Sequence, residues 1–208
     1  MHGEKIEDDW IKAMKPMTRM WLRVRRSALD LSGDCRGLAA VEFAMIIPLM
    51  LVLFFGTVEF SSGIAVDRKV TLMARTLSDL TSQNISITDT QITNIRNASI
   101  GIMTPYSTTP VNSTITELYV DPVSKVARVQ WSKGSSPRGA GTAVAIPTAL
   151  QFGDSYLIFS EVSYTYVPAI GYVMMKSGIT MSDFTYTRPR QSKCVIHAPE
   201  LTDCNSPK

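Results

Sequence analysis

From Leu38 to Val58 the chain reads LAAVEFAMIIPLMLVLFFGTV, with Glu42 as its one charged residue. Such a run of about 21 residues is long enough, as a helix, to cross a hydrocarbon layer of about 30 Å. A cleaved secretory signal fits poorly. The basic stretch before the run is too long for an n-region, the run too long for an h-region, and no clear small-x-small cleavage site follows Phe55. A lipoprotein signal fits no better, because Cys35 precedes the apolar run and Asp34 separates it from Gly33. Lys12, Lys15, Arg19, Arg23, Arg25, Arg26 and Arg36 all lie before the run, whereas Asp67, Arg68, Lys69 and Arg75 mix both signs after it. The positive-inside rule therefore places residues 1 to about 37 in the cytoplasm and the rest of the chain outside.

Glu42 needs a reason, since a carboxylate inside a membrane helix costs a few kcal/mol. It lies roughly 6 Å along the helix from Leu38. Two readings are open. It reaches back to the cytoplasmic interface, or it pairs with a positive charge brought by a partner. Pro48 removes one backbone donor in mid-span, which membrane helices tolerate.

The remainder suits one modest domain: the chain has 208 residues, 45% of them apolar, and a net charge of +3. That charge does not argue for nucleic acid. Val66, Val70, Met73, Leu77 and Leu80 recur at helical spacing, with Asp67, Arg68, Arg75, Ser78 and Asp79 assigned to the other side. The stripe either covers a following sheet or meets partner helices. Thr88-Asp89 is a cap for a second helix carrying Ile92, Ile95 and Ile102, ended by Pro105 and Pro110. Residues 114–120 and 126–131 alternate about the turn Asp121-Pro122-Val123-Ser124 and read as a hairpin. Residues 132–141 read as a loop, 146–152 as a short helix or irregular crossing, and 156–167 as the strongest strand. Residues 173–175 and 184–187 offer one or two further strands. The fold class expected is α+β, a long N-terminal transmembrane helix continuing into an amphipathic helix packed on a small antiparallel sheet.

Motifs for chemistry are sparse, and no enzymatic activity is expected. The only histidines are His2 and His197, and Cys194-x-x-His197 lacks the further ligands that a zinc site requires. No nucleophile elbow, zincin or phosphate-loop pattern occurs. No cofactor or metal is expected. Asp154, Glu161 and Asp183 read as solvated. Cys194 and Cys204 close a small loop if this region lies in an oxidising compartment, and are otherwise two surface thiols.

The phrase Arg36-Gly37-Leu38-Ala39-Ala40-Val41-Glu42-Phe43 places glycine at the end of a basic leader and glutamate five residues later. It resembles the processing site of type IV pilin-like proteins. The longer phrase RGLAAVEFAMIIPLMLVLFFGTVEF resembles the opening of the TadE-like family, minor pseudopilin-like proteins of tight-adherence (Flp) pilus assembly. The resemblance implies that a prepilin peptidase cuts between Gly37 and Leu38. It also implies that Glu42 neutralises the N-terminal amine of a neighbouring subunit, an attraction that low dielectric strengthens. Leu38 stands where many type IV pilins have phenylalanine, Phe43 stands where the Flp branch often has tyrosine, and the leader is long. The implied layout is a cytoplasmic leader at 1–37, a transmembrane helix at 38–58, an extracytoplasmic helical region at 59–104 and an antiparallel β-rich domain at 105–208. The protein would sit in the bacterial inner membrane with a periplasmic C-terminal domain, among other pilins and pilus assembly proteins, and would enter the pilus or remain beside it. The alternative is an uncleaved anchor or scaffold of the same complex.

Overall fold

The computed structural model describes residues 36–109, 111–168 and 178–208. The chain divides into two compact units between Phe54 and Phe55. One helix, α1 (Arg36–Ser82), runs through the division, with Pro48 inside it. In the first unit every side chain from Gly37 to Phe54 is exposed.

The second unit is an α+β layer structure, the class expected. Helix α2 (Asp89–Ile100) passes into a 3-10 turn (Gly101–Met103). Strands β1 (Val111–Val120), β2 (Ala127–Gly134), β3 (Ala143–Val144), β4 (Ser155–Tyr166) and β5 (Ile179–Thr187) follow. They form one antiparallel sheet in the order β3-β2-β1-β4-β5. The β1–β2 hairpin turns at Asp121, whose Oδ1 accepts the backbone N–H groups of Val123 (2.9 Å) and Ser124 (2.7 Å).

The apolar stripe of α1 covers the sheet. Val66, Val70, Met73 and Leu77 are fully buried and share a core with Ile115, Trp131, Ile158 and Val162. Ser78, assigned to the outer side from its polarity, is buried instead. Its small side chain lets helix and sheet approach, and two hydroxyls bond across the seam. Ser78 Oγ donates to the carbonyl of Ile158 at 3.2 Å, and Ser160 Oγ donates to that of Ala74 at 2.6 Å. Buried hydroxyls need such partners, because an unpaired one costs about 1–3 kcal/mol.

Helix α2 begins with the expected cap: Thr88 and Gln91 form a reciprocal capping box. Ile102 falls in the 3-10 turn after the helix. There Lys69 Nζ donates to the carbonyls of Ile102 (2.7 Å) and Thr104 (2.8 Å), groups that the helix end leaves without partners.

Several boundaries differ from those read in the sequence. Residues 132–134 belong to β2, where Ser132, Lys133 and Gly134 pair with Thr116, Ile115 and Thr114 of β1. Gly134 has φ +143°, and a Cβ there would lie 2.3 Å from the carbonyl oxygen of Ser113, so glycine is required at this strand end. The segment 146–152 contains a short 3-10 turn (Thr148–Leu150). Ile146 and Leu150 from this segment pack on a second core formed by Leu118, Val120, Val129, Leu157 and Phe159 on the other sheet face. Two-sided burial explains why the alternation along β1 is imperfect. Residues 173–175 lie outside the described residues.

The helix–sheet seam gives a direct stability test. Leu77→Ala should cost about 2–5 kcal/mol of unfolding free energy. Leu72→Ala, at a side chain 53% exposed on the same helix, should change it by less than about 0.5 kcal/mol. Denaturant unfolding of the full chain in detergent micelles, followed by near-ultraviolet circular dichroism, measures both.

Candidate functional site

Gly37, Leu38 and Glu42 all lie at the start of α1. Leu38 and Glu42 are four residues apart and so share one face of the helix. The Gly37–Leu38 bond lies at the start of the described part of α1. A Cβ added at Gly37 would meet nothing within 4 Å. Leu38 is 62% exposed and Phe43 66%, and Glu42 is exposed as well. Apolar side chains stay uncovered from here to Val58. A contiguous apolar surface of this extent marks a membrane or partner contact.

A second constellation lies at the other end of the chain. Cys194 and Cys204 are joined by a disulfide with a Cα–Cα distance of 5.6 Å. The segment between and before them is bonded to elements far away in sequence. Ile196 N–H donates to the Ile85 carbonyl (3.0 Å), Ile87 N–H to the Ile196 carbonyl (2.8 Å), and Arg190 N–H to the Ser82 carbonyl (2.9 Å). The Tyr156 hydroxyl donates to the Cys204 carbonyl at 2.7 Å. Trp131 Nε1 donates to the Val195 carbonyl at 2.9 Å, while Val195 N–H donates to Glu117 Oε1 at 2.6 Å. Trp131 and Glu117 are opposite each other on β2 and β1, so together they grip both backbone groups of Val195. The β1–β2 register shifts just after this pair. The extra residue, Gln130, is buried and accepts the Lys208 N–H at 2.8 Å.

Burial pushes the Glu117 carboxyl up to about 8, against the opposing pull of the Val195 N–H bond and of the neighbouring Trp131 indole. His197, read as a tail residue, is buried against Trp131 with ring centroids 5.4 Å apart. Its Nδ1 lies 2.9 Å from Glu200 Oε2 and its Nε2 3.1 Å from Asp89 Oδ1. Lys133 Nζ joins both carboxylates at 3.1 Å. The Lys133 hydrogen bond holds Asp89 below the usual carboxylate range. Ion pairs and hydrogen bonds tie Asp89, Lys133, His197 and Glu200 together in an arrangement that fixes a tail, whereas Glu117 Oε2 is buried without a hydrogen-bond partner. Sequence reasoning passed over Glu117. Its signal was phase, since Glu117 alternates with Ile115 and Tyr119 on the face that α1 covers. Glu161 is not solvated as expected. It forms a two-pronged ion pair with Arg138, whose guanidinium lies 5.3 Å from the ring centre of Phe159. Asp154 is paired with Lys193 at 2.8 Å.

Two outcomes follow for the tail. The disulfide closes a loop of sequence separation 10. Replacing both cysteines by serine should therefore lower stability by about 3 kcal/mol on the chain-entropy relation, read from thermal or denaturant unfolding of the full chain in micelles. Glu117 sets a pH dependence. Its folded value near 8 exceeds the ordinary 4.5, so between these values the unfolded chain gives up a proton that the folded chain keeps. Stability therefore falls as pH rises through that window, by on the order of a few kcal/mol, and levels off above it. Glu117→Gln should remove this slope when unfolding midpoints are compared across the window.

Residues 37–77 match the family model described as TadE-like protein. No curated protein and no solved structure matches the chain. The matched span begins at Gly37, takes in Leu38, Glu42 and the whole apolar run, and ends at Leu77, the last of the buried apolar residues with which α1 covers the sheet. The segment whose sequence resembles the TadE-like family is the one that the family model recognises, and it includes the part of α1 that is long and apolar enough to cross a membrane.

Proposed function

We propose that the protein is a pseudopilin-like component in the assembly of a tight-adherence (Flp) pilus. In this reading it is held in the bacterial inner membrane by α1, with its N-terminus cytoplasmic and residues 59–208 periplasmic. A prepilin peptidase cuts between Gly37 and Leu38, and Glu42 pairs with the new amine at Leu38 of a neighbouring pilin subunit. The role is structural, not enzymatic.

The observation that carries the reading is the position of this phrase in the fold. Gly37 and Leu38 open a single helix whose first half is apolar and uncovered and whose second half is the core of a folded domain. Cutting at Gly37 would leave the anchor and the domain joined as one piece. Glu42 supports the same reading. Four residues beyond Leu38, on an uncovered face, it is placed to reach a charge on another molecule, and the attraction gains strength in a medium without water.

Mass spectrometry of the protein from cells with and without the pilus peptidase tests the cut. A chain beginning at Leu38 in the first cells and a longer one in the second is the expected result. A leader retained in both would establish the uncleaved anchor instead. Gly37→Ala should block processing and reduce surface pili, whereas a fixed scaffold would keep both localisation and pili unchanged.

A further inference from the structure

A groove of about 380 Å³ opens between α1 and the ends of β4 and β5. Phe60, Gly63 and Ile64 line it from the helix, and Tyr166, Ile179 and Met181 from the strands. The lining is mainly apolar, yet the groove lies open. Phe60 is 72% exposed, Ile64 42% and Ile179 45%, with Val167 beside them at 45%. Gly63 creates the space: a Cβ at that position would meet only Met181 Cε, at 3.8 Å. The rim is polar. The Tyr166 hydroxyl donates to Glu59 Oε1 at 3.1 Å, and Asp67 stands two helical turns further along α1.

Position along the helix indicates what covers this surface. The apolar run ends at Val58, and Phe60 and Ile64 are two and six residues beyond it on α1. At the helical rise these distances are about 3 Å and about 9 Å. The headgroup layer on each side of a bilayer is roughly 6 Å deep, so the groove spans that layer and its outer edge. An apolar body with a phenolic tip, as Tyr166 presents, is the type of side chain that settles at such a boundary.

We propose that this groove is a lipid contact, taking the acyl–glycerol portion of a phospholipid from the leaflet into which Val58 emerges. The groove lies within the folded unit, on the stretch of α1 from Glu59 to Asp67 that directly follows the apolar run. The inference depends on the membrane reading of α1.

The test uses the full chain reconstituted in vesicles of phosphatidylethanolamine and phosphatidylglycerol. A photoactivatable benzoylphenylalanine replaces Ile179, or Leu49 within the apolar run, or Val123 at the exposed β1–β2 turn. Adducts are identified by mass after irradiation. Phospholipid adducts at positions 179 and 49, several-fold above those at 123, are the expected result. Introducing Gly63→Leu should reduce the adduct at 179 and leave that at 49 unchanged. Adducts at 179 with a second copy of the chain would overturn the proposal in favour of a protein contact. Lipid adducts at 49 alone would overturn it while leaving the membrane reading intact. Loss of lipid adducts at 49 would overturn both.

Discussion

The packing of Val66, Val70, Met73 and Leu77 against Ile115, Ile158 and Val162 is the interaction on which the folded domain depends. The rest is arranged around that seam. α1 covers one face of the sheet, and the crossing through Ile146 and Leu150 covers the other. Removing apolar surface from water is non-directional, so the seam alone would tolerate a helix that slid by a turn. The crossed hydroxyl bonds, Ser78 to Ile158 and Ser160 to Ala74, are directional and fix the register. Lys69 adds a third tie by capping the carbonyls at the end of the α2 region.

One helix thereby meets two solvents. From Leu38 to Val58 its side chains, Glu42 and Thr57 apart, are apolar all round, the pattern of a helix surrounded by lipid. After Val58 the apolar residues narrow to a stripe, with Asp67, Arg68 and Arg75 exposed. A continuous helix satisfies its own backbone through such a change.

What could be read in the sequence is what depends on local pattern. The stripe of α1, the Thr88 cap, the Asp121 turn and the aromatic strand of β4 each declare themselves within a few residues through periodicity or turn chemistry. What could not be read depends on distant partners. β3 is two residues long and exists only because Ala127 and Arg128 of β2 offer an edge. The register shift after Glu117 leaves no mark in composition. Glu117 and His197 are charged or polar residues that a local reading puts in water, and both are buried by a tail that folds back from far along the chain. Gly37, Leu38 and Glu42 stand out in the sequence because their spacing is a motif, while the grip of Trp131 and Glu117 on Val195 required the sheet register to be known.

That returning tail has a consequence for how the molecule is made. Residues 190–204 supply bonding partners to Ser82, Ile85 and Ile87 near the end of α1, and to Glu117, Trp131 and Tyr156 in the sheet. These contacts join parts of the chain synthesised far apart in time, and such long closures form late. The domain therefore cannot complete its interior while residue 204 is still on the ribosome or still in transit through a translocation channel. Whichever compartment holds the domain must first receive nearly the whole polypeptide. Until then the Trp131 indole N–H and the Glu117 carboxyl lack the backbone partners that the tail brings.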